Sequence, residues 1–105
     1  MTQFHLHVNA SPNAAPGIPF LLDLQSPLLS TLRTRIVAPV FRRSHFVGSM
    51  LADLILEVAV NGEACVVVLP ELAAIPEKYL GETKLDLSSD RARWIRALDI
   101  LIKGL

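Results

Sequence analysis

Cysteine, aromatic residues and long apolar runs are all scarce in this 105-residue sequence. The single cysteine, Cys65, excludes a disulfide within the chain and is typical of a protein in a reducing compartment. The longest apolar runs, at residues 54–56 and 64–69, are far shorter than the ~18 residues that indicate a membrane span. The first residues also lack the positive start and apolar stretch of a secretory signal. We therefore expect a cytoplasmic protein with no membrane segment.

An excess of charge of either sign is also absent, because ten basic residues balance ten acidic ones. A net charge of zero argues against a general nucleic-acid binder, so no direct nucleic-acid binding is expected. The five glycines are scattered and form no phosphate-binding loop.

Apolar residues, by contrast, are abundant: 51% of the chain is hydrophobic and only 19% is charged. We expect residues 1–105 to form a single domain, and a domain this short cannot bury that much apolar surface alone. The excess predicts a homodimer interface or a permanent partner site.

Strands are predicted where polar and apolar residues alternate, at residues 3–9, 20–25 and 34–38. Residues 10–19 predict a loop, and Pro39 is expected to end the third strand. Asn61-Gly62 between β-branched residues predicts a type I′ hairpin over residues 58–66.

The second half of the chain predicts less sheet. Residues 70–75 resemble one helical turn that begins at a proline and is stopped by Pro76. Residues 80–82 predict a turn or a short strand end. Strands followed by one long helix predict an α+β fold with a twisted antiparallel sheet.

Residues 88–105 predict an amphipathic helix. Ser88-Ser89-Asp90 supplies N-cap side chains, and residues 91–102 contain no proline or glycine. One face is apolar and holds Trp94, Leu98, Leu101 and Leu105, widened by Ile95 and Ile102. Because terminal residues normally fray, an apolar end predicts either a docked segment or a binding surface.

Candidates for metal binding or catalysis are few. His5 and His7 lie on the same face of a strand, but a metal site would need a third ligand from His45 or a carboxylate. We interpret both as solvent-facing histidines, and Cys65 as a small buried residue instead of a reactive thiol. We expect no catalytic residue, no metal and no cofactor.

Four arginines cluster within eleven positions, namely Arg33, Arg35, Arg42 and Arg43. In a ribonuclease such arginines would hold phosphate, with His45 as acid or base. Apart from Phe41 and Phe46, however, no aromatic residue is placed to stack on bases. We therefore interpret the arginines as a solvated face.

Leu28 and Leu29 follow Pro27 directly at a strand end. Two adjacent apolar residues in a loop cannot both bury easily. Either one packs inward and the other is exposed incidentally, or the pair forms a hydrophobic contact for a partner.

Short motifs recur along nearly the whole chain, at Phe4, residues 20–26, Leu28-Leu29, residues 34–39, Ile75-Pro76, residues 80–82, residues 86–88 and residues 99–105. In order and spacing these motifs are similar to those of CcdB-type toxins, the gyrase-poisoning half of a type II toxin–antitoxin system. Each motif alone is weak, but their shared order and spacing are fairly specific. The loop at residues 10–19 is longer than in the best-known member, and residues 41–53 differ.

This resemblance implies an SH3-like small β-barrel of the CcdB/MazF type, with a C-terminal helix, that forms a symmetric homodimer without enzymatic activity. It implies a toxin that binds the A subunit of DNA gyrase, traps the cleaved-DNA complex and is neutralised by a CcdA-like antitoxin that folds on binding. The gyrase-binding residues that it implies are Leu28, Leu29, Asp99, Ile102, Lys103, Gly104 and Leu105.

One position departs from the family, since the best-known member has tryptophan where this chain has Lys103. Two alternatives stay open from the sequence. The first is a ribonuclease toxin of the MazF/Kid type, which shares the fold. The second is an inactive or retargeted CcdB-like interaction module.

Overall fold

The computed structural model describes residues 3–14, 16–48 and 53–104 of the chain. Its strands are β1 (His5–Asn9), β2 (Phe20–Asp23), β3 (Thr34–Arg42), β4 (Ile55–Val60), β5 (Glu63–Val68), β6 (Ala73–Pro76) and β7 (Leu80–Asp86), and its helix is α1 (Arg91–Lys103). The strands form one antiparallel sheet in the order β4-β5-β3-β2-β1-β7, with β6 paired to β3. A curled antiparallel sheet with a C-terminal helix confirms the predicted α+β small barrel.

Strand β3 joins the halves of the sheet, and the prediction that Pro39 ends it is wrong. Leu24 N–H donates to Ile36 O at 2.9 Å, which fixes where the hydrogen-bonded pairs between β2 and β3 fall. In an antiparallel sheet these pairs recur at every second residue, so Pro39 is not one of them. The nitrogen of Pro39 therefore faces the other side of β3. On that side β6 pairs only as far as Val37 and β5 begins at Val40. Proline is tolerated because its missing N–H falls in this gap.

The hairpin between β4 and β5 confirms the predicted Asn-Gly turn. Asn61 has φ 53° and Gly62 has φ 83°, the positive values that a type I′ turn requires. Val60 pairs with Glu63 directly across the turn.

The segment after the hairpin contains more sheet than predicted. A short 3-10 turn occupies Leu69–Glu71, but the rest of the predicted helical turn forms β6 and pairs with the first half of β3. Residues 80–82, predicted as a turn or a short strand end, open the seven-residue strand β7, which pairs with β1. A Cβ atom at Gly81 would lie 2.9 Å from the carbonyl oxygen of Val8, so this pairing needs glycine.

Helix α1 packs part of its predicted apolar face on the barrel core, whereas Ile95 and Ile102 of that face are exposed. Trp94 is 0% exposed, and its Nε1 donates to Leu87 O at 2.9 Å. Ala97 is also buried, with Leu98 and Leu101 partly buried beside it. The helix begins at Arg91 and ends at Lys103, so it is shorter at both ends than the predicted 88–105, and Gly104, whose φ is 77°, closes it. No helix in the described ranges is long and apolar enough to span a membrane.

The predicted N-cap is wrong in its chemistry. Residues Ser88–Asp90 form a 3-10 turn, and their side chains make no capping hydrogen bond to α1. The turn is held instead by Asp86, whose carboxylate accepts the N–H of Ser88 at 2.9 Å and also the Ser88 hydroxyl. These bonds keep the pKa of Asp86 below its ordinary value of 3.8, with His5 adding a smaller effect.

Candidate protein-binding surface

The first part of the candidate surface is residues 26–33, here called the leucine loop, which connects β2 to β3. Pro27–Leu29 form one 3-10 turn, begun by Ser26, whose Oγ accepts the N–H of Leu28 at 3.2 Å. Leu28 is 92% exposed and Leu29 44%, so neither leucine is buried. Leu32 adds a third aliphatic side chain that is 47% exposed. The loop therefore presents a small apolar area on an ordered turn.

The second part is the end of α1. Ile102 is 74% exposed on a helix whose other face is buried. Lys103 Nζ lies 3.8 Å from Asp99 Oδ1 one turn earlier, and both side chains are largely exposed. Gly104 is exposed as well, whereas Leu105 lies outside the described residues. Trp94, nine residues before Lys103, is fully buried and cannot take part in this surface.

A shallow groove of about 380 Å³ runs along the outer side of α1 and leads towards this end. Its lining consists of Ala92, Ile95, Arg96, Asp99 and Ile100. Ile95 is 37% exposed, so the helix carries apolar area in addition to the face that packs on the core. This area is part of the excess that the composition predicts.

Below the leucine loop lies a buried polar cluster that sequence reasoning missed. Arg35 Nη2 donates to Asp23 Oδ2 at 2.6 Å, and both side chains are at least nine-tenths buried. Gln25 is 3% exposed and donates to the carbonyl oxygens of Leu29 in the loop and Thr34 directly after it. The alternation Leu22-Asp23-Leu24-Gln25 was the available signal, since it places the polar residues on one face of the strand. The alternation does not indicate, however, that the face of the sheet with Asp23 and Gln25 is also covered.

Burial also overturns two interpretations made from sequence. His7 is 5% exposed, and its Nδ1 lies 3.0 Å from Gly81 O, so it is not a solvent-facing residue. Arg35 is 4% exposed and is not part of a solvated face. Both belong to the second, covered face of the curled sheet. Within the described ranges, no three His, Cys, Asp or Glu side chains are grouped to hold a metal ion.

Two of the remaining arginines form ion pairs with glutamates. Arg42 and Arg43 pair with Glu63 and Glu57 at 3.6 and 3.7 Å. Arg35 and Arg42 are seven residues apart on one extended strand, about 23 Å. His45 follows the far end of that strand and is exposed. The structure therefore separates Arg35 from the histidine that would act with it.

Cys65 confirms its predicted role as a small buried residue. The side chain is 0% exposed inside β5. Burial raises the pKa of its thiol, and the nearby Glu63 carboxylate adds to the rise. A thiol held protonated in the core is a poor nucleophile.

Together, these features define a class of small antiparallel barrel with a C-terminal helix, whose loop and helix end present aliphatic side chains for contact. The family model of the CcdB protein matches residues 3–104, so the chain belongs to the CcdB family. It is accordingly a toxin of a toxin–antitoxin module, and the resemblance noted in the sequence is confirmed. No match was found among curated proteins.

Proposed function

We propose that residues 1–105 act as one toxin domain, a cytoplasmic homodimer that binds the A subunit of DNA gyrase and traps the complex with cleaved DNA. A CcdA-like antitoxin neutralises it. The toxin acts through contact alone, without catalysis, cofactor, metal or direct binding to nucleic acid. The proposed contact residues are Leu28, Leu29, Asp99, Ile102, Lys103, Gly104 and Leu105.

The observation that carries this proposal is the exposure of large aliphatic side chains on two ordered segments. Leu28 is 92% exposed and Ile102 is 74% exposed. Moving a leucine or isoleucine side chain from water into a protein contact yields about 1.5–3 kcal/mol. Two such residues on each of two protomers supply enough apolar area to anchor a partner.

Dimerisation is supported by the apolar area that α1 and β3 leave in contact with solvent. Ile95 is 37% exposed and Ile36 is 39% exposed. A two-fold contact would bury the same residues from both copies and would double the number of presented loops and helix ends. Sedimentation at micromolar concentration should then give about twice the mass of 11.5 kDa calculated for one chain. A persistent monomer would contradict the dimer.

The pair of Lys103 and Asp99 supports gyrase binding despite the missing tryptophan. Asp99 lies 3.8 Å from Lys103 and offsets its charge at the position where the family stacks tryptophan on a gyrase arginine. The same carboxylate is exposed and is able to pair with an incoming arginine itself.

Inhibition of supercoiling by purified protein, together with stabilisation of cleaved DNA, tests the proposal. Leu28→Ser and Ile102→Ser should each raise the inhibitory concentration by about tenfold or more. Val47→Ser is the matched control, since Val47 is 95% exposed and follows the opposite end of the nine-residue β3 from the leucine loop. It should inhibit like the wild type. Equal effects of all three changes, or a wild type without inhibition, would count against the proposal.

The ribonuclease alternative is tested in the same preparation. We expect no RNA cleavage and an unchanged toxicity of His45→Ala, because His45 is far along the chain from Arg35 and exposed. Arg35→Ala does not distinguish the two functions, since loss of a buried ion pair destabilises the protein under either one. Cleavage that His45→Ala abolishes would establish the ribonuclease function instead.

A further inference from the structure

The buried amide of Gln25 makes three hydrogen bonds, one to the leucine loop and two to β3. Its Nε2 donates to the carbonyl oxygens of Leu29 and Thr34, each at 3.1 Å. Its Oε1 accepts the N–H of Ile36 at 3.1 Å. Both amide donors and the acceptor are therefore used, so the partners define which way the amide points. With the side chain 3% exposed, water cannot readily replace these bonds.

Gln25 is itself held in place by the sheet. Its backbone N–H donates to Asp23 Oδ1 at 3.0 Å, and Asp23 Oδ2 accepts from Arg35 at 2.6 Å. Asp23 lies on β2 and Arg35 on β3, so two paired strands fix the position from which the Gln25 side chain reaches the loop.

Leu29 is where this bracing meets the candidate surface. Its carbonyl oxygen is bound by Gln25 from inside, while its side chain is 44% exposed beside the 92% exposed Leu28. A loop that must be ordered on binding gives up conformational entropy at that moment, and this weakens the complex. A loop ordered beforehand avoids that loss.

We propose that Gln25 is a positioning residue that holds the leucine loop in its binding conformation before a partner arrives, and so sets the affinity for gyrase. Gln25 is buried and acts through Leu28 and Leu29 without touching the partner. The identity of that partner rests on the proposed function.

Gln25→Met tests this inference, because methionine has a similar length and no amide. Hydrogen exchange should become faster at the N–H groups of Leu29, Leu32 and Ile36, and the affinity for the gyrase A subunit should fall by about tenfold. Gln3→Met is the matched control. Gln3 bonds Leu24 O at 3.3 Å and Arg91 at 3.1 Å, outside the leucine loop. It should change neither loop exchange nor affinity.

A stability control separates positioning from general destabilisation. Val66→Ala removes part of a side chain that is 0% exposed in β5 and should lower stability while leaving loop exchange and affinity unchanged. An equal loss of affinity in Val66→Ala would overturn the inference, as would Gln25→Met with unchanged loop exchange or unchanged affinity.

The wild type gives a further test if Gln25→Met does not fold. The Ile36 N–H, which is bound only by the Gln25 side chain among the described contacts, should be protected as strongly as its neighbours in β3. Exchange at the rate of an unstructured peptide would overturn the inference. Wild-type protein that does not bind the gyrase A subunit would contradict the proposed function, and loop exchange would still decide whether Gln25 orders the loop.

Discussion

The two segments that carry the candidate surface each follow a strand that ends in an aspartate, which accepts the N–H two residues further on. Asp23 accepts the N–H of Gln25 at 3.0 Å ahead of the leucine loop. Asp86 accepts the N–H of Ser88 at 2.9 Å ahead of α1. The first aspartate is 0% exposed and paired with Arg35, whereas the second is exposed. The same local turn is thus part of the core in one segment and part of the surface in the other.

This difference follows from what each segment can do for itself. Helix α1 makes its own backbone hydrogen bonds and buries Trp94 and Ala97, so it needs little from its first turn. The leucine loop has one 3-10 turn and exposes its aliphatic side chains, so its backbone depends on polar groups supplied from the sheet. The buried polar cluster therefore supports the loop, whereas α1 is held by its own hydrogen bonds and its buried face.

The largest expected difference in stability is between breaking the buried ion pair below the leucine loop and breaking the exposed ion pair at the end of α1. Asp23→Ala leaves the buried Arg35 guanidinium without its 2.6 Å carboxylate and should lower the free energy of unfolding by about 3–5 kcal/mol. Asp99→Ala breaks the exposed 3.8 Å pair with Lys103 and should lower it by less than about 0.5 kcal/mol. Urea unfolding at one fixed protein concentration measures both, since a dimer's stability depends on concentration.

The comparison fails if the two substitutions have similar effects. Asn in place of Asp23 is a useful third variant, because it keeps the acceptor for the Gln25 N–H while removing the charge. It should lie between the wild type and Asp23→Ala.

At the helix end, a substitution should change binding and leave stability alone. Lys103→Trp restores the family's aromatic residue at a side chain that is 73% exposed. Stacking on a gyrase arginine should strengthen binding by about 2 kcal/mol per protomer. Titration of the gyrase A subunit with each variant measures this, and Lys103→Ala is the control that removes the charge without adding a ring. If Lys103→Ala strengthens binding as much as Lys103→Trp, charge repulsion and not stacking sets the affinity.

The sequence predicted the helix and the Asn-Gly hairpin because each depends on local chemistry. The amphipathic spacing around Trp94 and the preference of Asn61-Gly62 for positive φ angles can be recognised from the local sequence alone. The rule that proline ends a strand failed at Pro39. The strand continues there because Pro39 lies opposite the gap between β5 and β6, where no N–H is needed.

The buried polar residues could not be predicted for a different reason. Alternation places His7, Asp23 and Arg35 on one face of the sheet, but exposure of that face depends on how the sheet curls and on what covers it. The role of Gln25 depends on Thr34 and Ile36, which come nine and eleven residues later in the chain. Contacts of that range appear only once the strands are paired.

The smallest expected effect is the pH dependence of stability that comes from the exposed Asp86. Hydrogen bonds from Ser88 lower the pKa of Asp86 below 3.8, so in acid the unfolded chain binds a proton before the folded one does. Its contribution to stability is therefore complete above about pH 4 and is lost as the pH falls through the lowered pKa. Thermal unfolding between about pH 2 and pH 6 should show wild type more stable than Asp86→Asn at the upper end, with the two curves meeting in acid. A difference that does not change with pH over this range would show that the charge of Asp86 contributes nothing to stability.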